Sequence, residues 1–189
     1  MRILAINFSS RKNGNCANCI ELCLNELGNN GYETEKIDII DFNISPCCDC
    51  DYLCFEKKCP KEDDIIEIIN KCKNADKIIF ALPTFRGHLP ALYFAFSERL
   101  QGIYMDNIDL DDILFKKVNL IIIGNLSSGG DMALHEALYE YANKPFCPET
   151  LLLSSREYDR KSIHGDLIDD NLVKQRLKKF TNDTLEVKI

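Results

Sequence analysis

Ile3-Leu4-Ala5-Ile6-Asn7-Phe8-Ser9-Ser10-Arg11-Lys12-Asn13-Gly14-Asn15-Cys16 is the stretch whose reading decides the fold. Ile3 to Ile6 is apolar and too short for a helix, so it reads as a buried strand. From Cys16 to Leu27 the apolar residues recur at helical spacing. Phe8 to Cys16 joins the two and supplies hydroxyls, amides and two cations where a helix begins. A helix N-terminus offers N–H groups without intrahelical partners and the positive end of a dipole, and Ser, Asn and Arg complete an anion cradle. An ordinary capped turn is the competing reading, because Ser and Asn also cap helices for structural reasons alone. The loop has neither the Gly-x-x-x-x-Gly-Lys-Ser/Thr nor the Gly-x-Gly-x-x-Gly arrangement, so a mononucleotide phosphate suits it better than a nucleoside triphosphate or a dinucleotide.

The same alternation continues along the chain. Ile37 to Ile40, Ile78 to Leu82, Leu120 to Ile123 and Thr150 to Leu153 read as further strands. Ile65 to Cys72, Leu92 to Leu100, Met132 to Tyr141 and Ile168 to Phe180 read as helices. Five strands and five helices in this order predict right-handed crossovers onto a parallel sheet covered on both faces. No repeat or linker divides the chain, so residues 1–189 are expected to form one domain. Ligands of open α/β sheets bind beyond the carboxyl ends of the strands. Two more loops are expected there: Pro83-Thr84-Phe85-Arg86-Gly87-His88-Leu89-Pro90, with an aromatic ring and a cation, and Gly124-Asn125-Leu126-Ser127-Ser128-Gly129-Gly130, whose glycines let backbone approach a ligand. Arg86 is placed to stabilise developing negative charge and His88 to relay a proton; a solvated loop explains both equally well.

Hydrophobic residues make up 46% of the chain, enough for one substantial core, and the net charge of −7 argues against nucleic acid as a partner. Met1 to Asn7 is too short for a signal peptide and no later apolar run has the length of a membrane span, so a cytoplasmic protein is expected. In that compartment the ten cysteines are not expected to form disulfides. Five of them fall between Pro46 and Pro60, where Cys47, Cys50, Cys54 and Cys59 read as Cys-x2-Cys-x3-Cys-x4-Cys. Closely spaced thiolates on an irregular loop suit an iron–sulfur cluster, with Cys48 able to stand in for Cys47. Structural zinc, a redox dithiol such as Cys47 with Cys50, and cysteines without metal remain open. Cys19, Cys23 and Cys72 read as small buried hydrophobes. Asp63-Asp64 is expected to do no more than stabilise the dipole of the helix it precedes.

Residues 7–16, Asn-Phe-Ser-Ser-Arg-Lys-Asn-Gly-Asn-Cys, resemble the phosphate loop of NADPH-dependent FMN reductase-like flavoproteins. Ala75-Asp76, the Pro83 to Pro90 loop, Glu98-Arg99 and Gly129-Gly130 follow in that family's order, and the likeness covers roughly residues 1 to 145. The resemblance implies a flavodoxin-like three-layer sandwich, a five-stranded parallel sheet of order 2-1-3-4-5. It implies that Ser9, Arg11, Asn13, Asn15 and Cys16 hold the FMN phosphate, that Pro83, Thr84, Phe85, Arg86 and Gly87 contact the isoalloxazine, and that Asn125, Ser127, Ser128 and Gly129 close its other side. The cysteine run is similar to that of iron–sulfur flavoproteins, a branch of the same family with a [4Fe–4S] cluster beside FMN. The expected function is FMN-dependent electron transfer, with a small-molecule or ferredoxin-type redox partner and a homo-oligomer, a dimer or tetramer. NAD(P)H-dependent reduction of FMN or a quinone without a cluster is the alternative, and a zinc-binding or thiol redox-sensing module without flavin is the rival from another class.

Overall fold

The computed structural model describes residues 1–48, 50–104 and 109–185. Its elements run β1 (Arg2–Asn7), α1 (Asn15–Asn29), β2 (Glu33–Asp38), α2 (Ile65–Asn74), β3 (Lys77–Pro83), α3 (Ala91–Tyr104), α4 (Asp109–Phe115), β4 (Val118–Gly124), α5 (Ser127–Tyr139), β5 (Thr150–Ser154) and α6 (Asn171–Leu185). All strand pairs are parallel, and the sheet order is β2-β1-β3-β4-β5. This is the flavodoxin-like order expected above.

Alternation along each strand sends successive side chains to opposite faces and so builds two cores. Leu4, Ile6, Ile78, Phe80, Leu82, Leu120 and Ile122 pack on one face with α2, α3, α4 and α5. Ile3, Ala5, Ile79, Ala81, Ile121, Ile123 and Leu153 pack on the other with α1 and α6. Cys19 and Cys23 lie in the second core and Cys72 in the first, as expected of small hydrophobes, and burial pushes the Cys23 thiol up to about 11. No helix among the described residues is long and apolar enough to cross a membrane.

Three expectations about the elements need correction. β2 is Glu33–Asp38 rather than Ile37 to Ile40, and Ile39–Asp41 is a 3-10 turn. The strand is an edge whose residues are mostly charged or polar, paired only with β1, so apolar-run reading shifts it toward its buried end. A sixth helix, α4, is seven residues long, too short to show a period. The third concerns Ser127 to Gly130, read as loop: they begin α5, and a Cβ on Gly130 would lie 2.4 Å from Leu152 Cδ1. That glycine lets the helix pack closely against β5.

Candidate functional site

Loop geometry at the end of β1 starts from a buried plug. Phe8 is fully buried, and its ring meets those of Phe80, Phe96 and Tyr93 edge-on at centroid distances of 5.0, 5.5 and 5.6 Å. Beside it the buried Asn7 side chain joins the tips of β1 and β2, its Nδ2 donating to Asp38 Oδ1 at 2.7 Å while its Oδ1 accepts the Ser9 amide at 3.0 Å. Ser9 Oγ in turn accepts the Arg11 amide at 3.1 Å. The loop is therefore folded by its own polar groups before α1 begins. Gly14 is the N-cap and has no side chain to spend on the helix, which leaves the first-turn amides of Asn15, Cys16 and Ala17 for an anion.

A cleft of about 350 Å³ opens over this turn, lined among the described residues by all three expected loops. Ser9, Arg11, Asn15 and Cys16 come from the first, Pro83, Thr84 and Phe85 from the second, and Asn125 from the third. Gly124 lets the last two close on each other: a Cβ there would stand 3.1 Å from the Leu126 carbonyl and 3.3 Å from Thr84 Oγ1. Phe85 stays 57% exposed at the cleft's edge, where a flat ring could stack on it. Asn13, Arg86 and Gly87 are not among the residues lining the cleft. Ser127, Ser128 and Gly129 open α5, and beyond that they lie outside the described residues. Cys16 is buried, which pushes its thiol up to about 12 against the pull of Arg11, so it serves as packing and not as a thiolate.

Arg86 and Gly87 form the tip of a hairpin. Phe85 and His88 exchange backbone bonds of 2.9 and 3.1 Å, and the two residues between have φ of 54° and 89°, the left-handed pair of a type I′ turn. Glu136 on α5 fastens the hairpin, its carboxylate meeting His88 Nδ1 at 2.6 Å and accepting the Leu89 amide at 2.9 Å. Partial burial raises the Glu136 pKa, but those two partners outweigh it and hold the carboxyl below its ordinary value. His88 is thus tied to a carboxylate on α5, and it does not line the cleft.

Sequence reasoning missed the segment after β5. It crosses over the first loop, where Arg11 donates to the carbonyls of Ser162 and Ile163 at 3.0 and 2.6 Å, and Asn18 Nδ2 donates to that of Gly165 at 2.7 Å. Asn15 is turned the same way: its Oδ1 accepts the Leu167 amide at 3.1 Å. Ser162 and Ile163 consequently line the cleft, whereas much of the bonding capacity of Arg11 and Asn15 goes to this strap. Gly165, at φ 76° with room for no Cβ (Asn13 O would be 2.8 Å away), is the one local signal that could have marked it.

The cysteine loop is a separate construction. Lys61 Nζ holds the carbonyls of Ser45 and Pro46, closing the neck. Glu98 and Arg99, adjacent on α3, take one end each: Glu98 Oε2 accepts the Cys47 amide at 3.0 Å, and an Arg99 guanidinium nitrogen approaches Cys59 Sγ at 3.2 Å. Arg99 is buried, and Asp63 holds it through two contacts of 3.0 and 3.1 Å. Asp63 therefore does more than the helix-dipole role expected of it. One turn further along α3, a Cβ added at Gly102 would come into ordinary contact with the Cβ atoms of Cys59 and Cys54, at 3.5 and 3.6 Å.

Cys54 is pushed above its ordinary pKa first by desolvation and then by Cys50, Cys59 and Cys47, so it lies in the field of the three thiols read with it, and Cys48 is not among them. At Cys59 burial works upward, but the Lys61 amide and Arg99 outweigh it and lower the thiol below its usual range. In chemistry the set fits a thiolate-bound group: four soft donors on one loop, with a cation and N–H donor at one sulfur. Among the described residues, no three Cys, His, Asp or Glu side chains are drawn around a single ion. Cys48 and Cys147 are exposed.

A family model for NADPH-dependent FMN reductase matches residues 1–146. The chain belongs to that family. Among curated relatives, it is 37% identical over 91 residues to an iron–sulfur flavoprotein of Methanocaldococcus jannaschii, covering 48% of this chain and 47% of that one. With an iron–sulfur flavoprotein of Archaeoglobus fulgidus it shares 30% identity over 142 residues, 75% of this chain and 68% of the relative. The first match thus spans about half of that relative's length. Among solved structures, a Trp repressor binding protein from Bacillus subtilis superposes with a TM-score of 0.67 at 17% identity, covering 94% of this FMN reductase family member and 99% of that chain. At that identity the likeness speaks for the fold.

Proposed function

We propose that this protein is an FMN-dependent oxidoreductase that passes electrons between FMN, seated in the cleft over α1, and a [4Fe–4S] cluster held by Cys47, Cys50, Cys54 and Cys59. The observation that carries the first half is the convergence of three strand-end loops on one cleft above an uncapped helix N-terminus, within a chain of the FMN reductase family. The second half is supported by the chemistry of four thiols on one loop, with Glu98 and Arg99 of α3 bonded to Cys47 and Cys59 of that loop, and by relatives named iron–sulfur flavoproteins. When bound, FMN exchanges electrons singly or in pairs and a cluster exchanges them singly, so the two together join one-electron to two-electron partners.

The chain's own residues bind and orient. First-turn amides of α1 and the Ser9 loop hold the phosphate, Phe85 offers a face to the ring, and Ser162 and Ile163 of the strap add to the wall of the cleft. No side-chain acid or base is required, and His88 serves to fix the hairpin through Glu136. Small-molecule or ferredoxin-type redox partners, a cytoplasmic location and self-association belong to this reading. NADPH as donor to FMN without a cluster is favoured by the family description alone.

The test is the absorption spectrum of protein purified without oxygen, with flavin, iron, sulfide and zinc analysis, on wild type and single Cys→Ser variants. The expected result is FMN together with one [4Fe–4S] group per chain, iron being lost in the variants of Cys47, Cys50, Cys54 and Cys59 and retained in Cys48→Ser. FMN without iron in wild type supports the NADPH-dependent reductase, and stoichiometric zinc without flavin supports the sensing module. Either result overturns the relay.

A further inference from the structure

Arg99 is a long cationic side chain on a helix that could have left it in water, yet its side chain is only 2% exposed, and so is that of Asp63. Burying a cation is costly unless it is paired and hydrogen-bonded, and a pair of this kind is weak evidence for stability by itself. What the pair does achieve is orientation. Asp63 takes Nε and one terminal nitrogen of the planar guanidinium, which fixes its plane and aims the other terminal nitrogen at Cys59 Sγ, 3.2 Å away. A Cβ added at Gly102 would stand 3.5 Å from Cys59 Cβ, 3.6 Å from Cys54 Cβ and 3.7 Å from Cys59 Sγ, so α3 runs close beside both cysteines. None of the other loop cysteines has a cationic side chain bonded to its sulfur among the described residues.

We propose that Arg99 is a positioning residue that sets the reduction potential of the iron–sulfur group by donating a hydrogen bond, and a fixed positive charge, to the Cys59 ligand sulfur. The inference rests on the cluster reading given under Proposed function. Reduction adds one electron to the cluster and so increases the negative charge on its thiolate sulfurs. A donor and a cation at one sulfur stabilise that more negative state, which raises the potential. Asp63 acts on the cluster only through Arg99: it keeps the guanidinium aimed and is not itself bonded to sulfur.

Lysine keeps the charge but lacks the rigid fork, so it cannot satisfy Asp63 twice and still reach Sγ in the same geometry. Glutamine keeps a donor and loses the charge. The experiment is an anaerobic redox titration of the holoprotein, reading the cluster and FMN separately, for wild type, Arg99→Lys and Arg99→Gln. The cluster potential is expected to fall in both variants, further in Gln than in Lys, with the FMN potential unchanged because Arg99 does not line the flavin cleft. A purely structural Arg99 would lower the iron content and leave the potential of the loaded fraction where it is, and that result overturns the proposal. Equal shifts of cluster and FMN overturn it too, as they would mark a general change in the fold. Should Arg99→Gln not fold, Arg99→Lys carries the same comparison by itself. Wild-type protein that takes up no iron fails the cluster reading, and this inference with it, before any variant is compared.

Discussion

The loop after β1 takes its turn from backbone geometry and polar groups a few residues away and is then clasped by the distant strap, whereas the loop before α2 depends on α3 side chains at both of its ends. In the first, Asn7, Ser9 and Gly14 shape the turn between a strand and the helix it feeds. In the second, Glu98 and Arg99 of α3 fix a segment that has little regular structure of its own, with the loop's own Lys61 closing its neck and Gly102 leaving it room against α3. A phosphate cradle needs only amides aimed at one point, which a helix start provides. A thiolate site must gather soft side chains from an irregular loop, and a platform has to be supplied from outside.

The contrast is open to mutation, and the largest effect is expected at the platform. Arg99→Ala leaves the Asp63 carboxylate buried without its cation, a change of the kind that costs about 3–5 kcal/mol. Chemical denaturation should show that loss, and Arg99→Met combined with Asp63→Leu should recover most of it because no unpaired charge remains. If the double variant is no better than Arg99→Ala, the pair is not acting as a buried ion pair.

Next in size is the strap. Gly165→Ala forces a Cβ into the left-handed region and onto the Asn13 carbonyl, at a cost of about 1–3 kcal/mol for strain of this kind. Both stability and FMN affinity should drop, since the strap carries two residues of the cleft. Unchanged affinity would detach the strap from the flavin site. Phe85→Ala should weaken FMN binding about two- to tenfold, the range expected from losing about 0.5–1.5 kcal/mol of ring stacking, with little change in unfolding. Fluorescence titration of the flavin-free protein reads it directly.

The smallest effect concerns pH. Glu136 has its carboxyl held below the ordinary value in the folded protein, so its contribution is present above the unfolded value of about 4.3 and is lost as pH falls through the folded one. Thermal unfolding followed downward from neutral pH should lose stability in that range, and Glu136→Gln should flatten part of the slope. A steeper slope in the variant would reverse the assigned sign.

How much of this was legible follows the same division. The first strand, its loop and α1 could be read because their determinants are neighbours in sequence, and the cysteine run between Pro46 and Pro60 stands out by its density. Arg99, Asp63 and Gly102 could not, since they meet the loop only after α2 and α3 have packed; Arg99 lies 36 residues from Asp63 and 40 from Cys59. The strap meets α1 across 147 residues or more and shows only Gly165 as a trace. β2 starts before the apolar residues that mark it because an edge strand with charged faces carries no apolar run, and Gly130 reads as loop although it serves close packing of α5 against Leu152.

The proposed relay passes electrons between two groups held by these two loops in one chain. An anaerobic reductive titration of the holoprotein tests it, with flavin and iron–sulfur absorbance followed together and the Cys54→Ser variant as reference. Wild type is expected to accept one more electron per chain than the variant, and electrons delivered to either group to redistribute to the other. Uptake of the same number by both proteins, or two groups that never equilibrate, would contradict it.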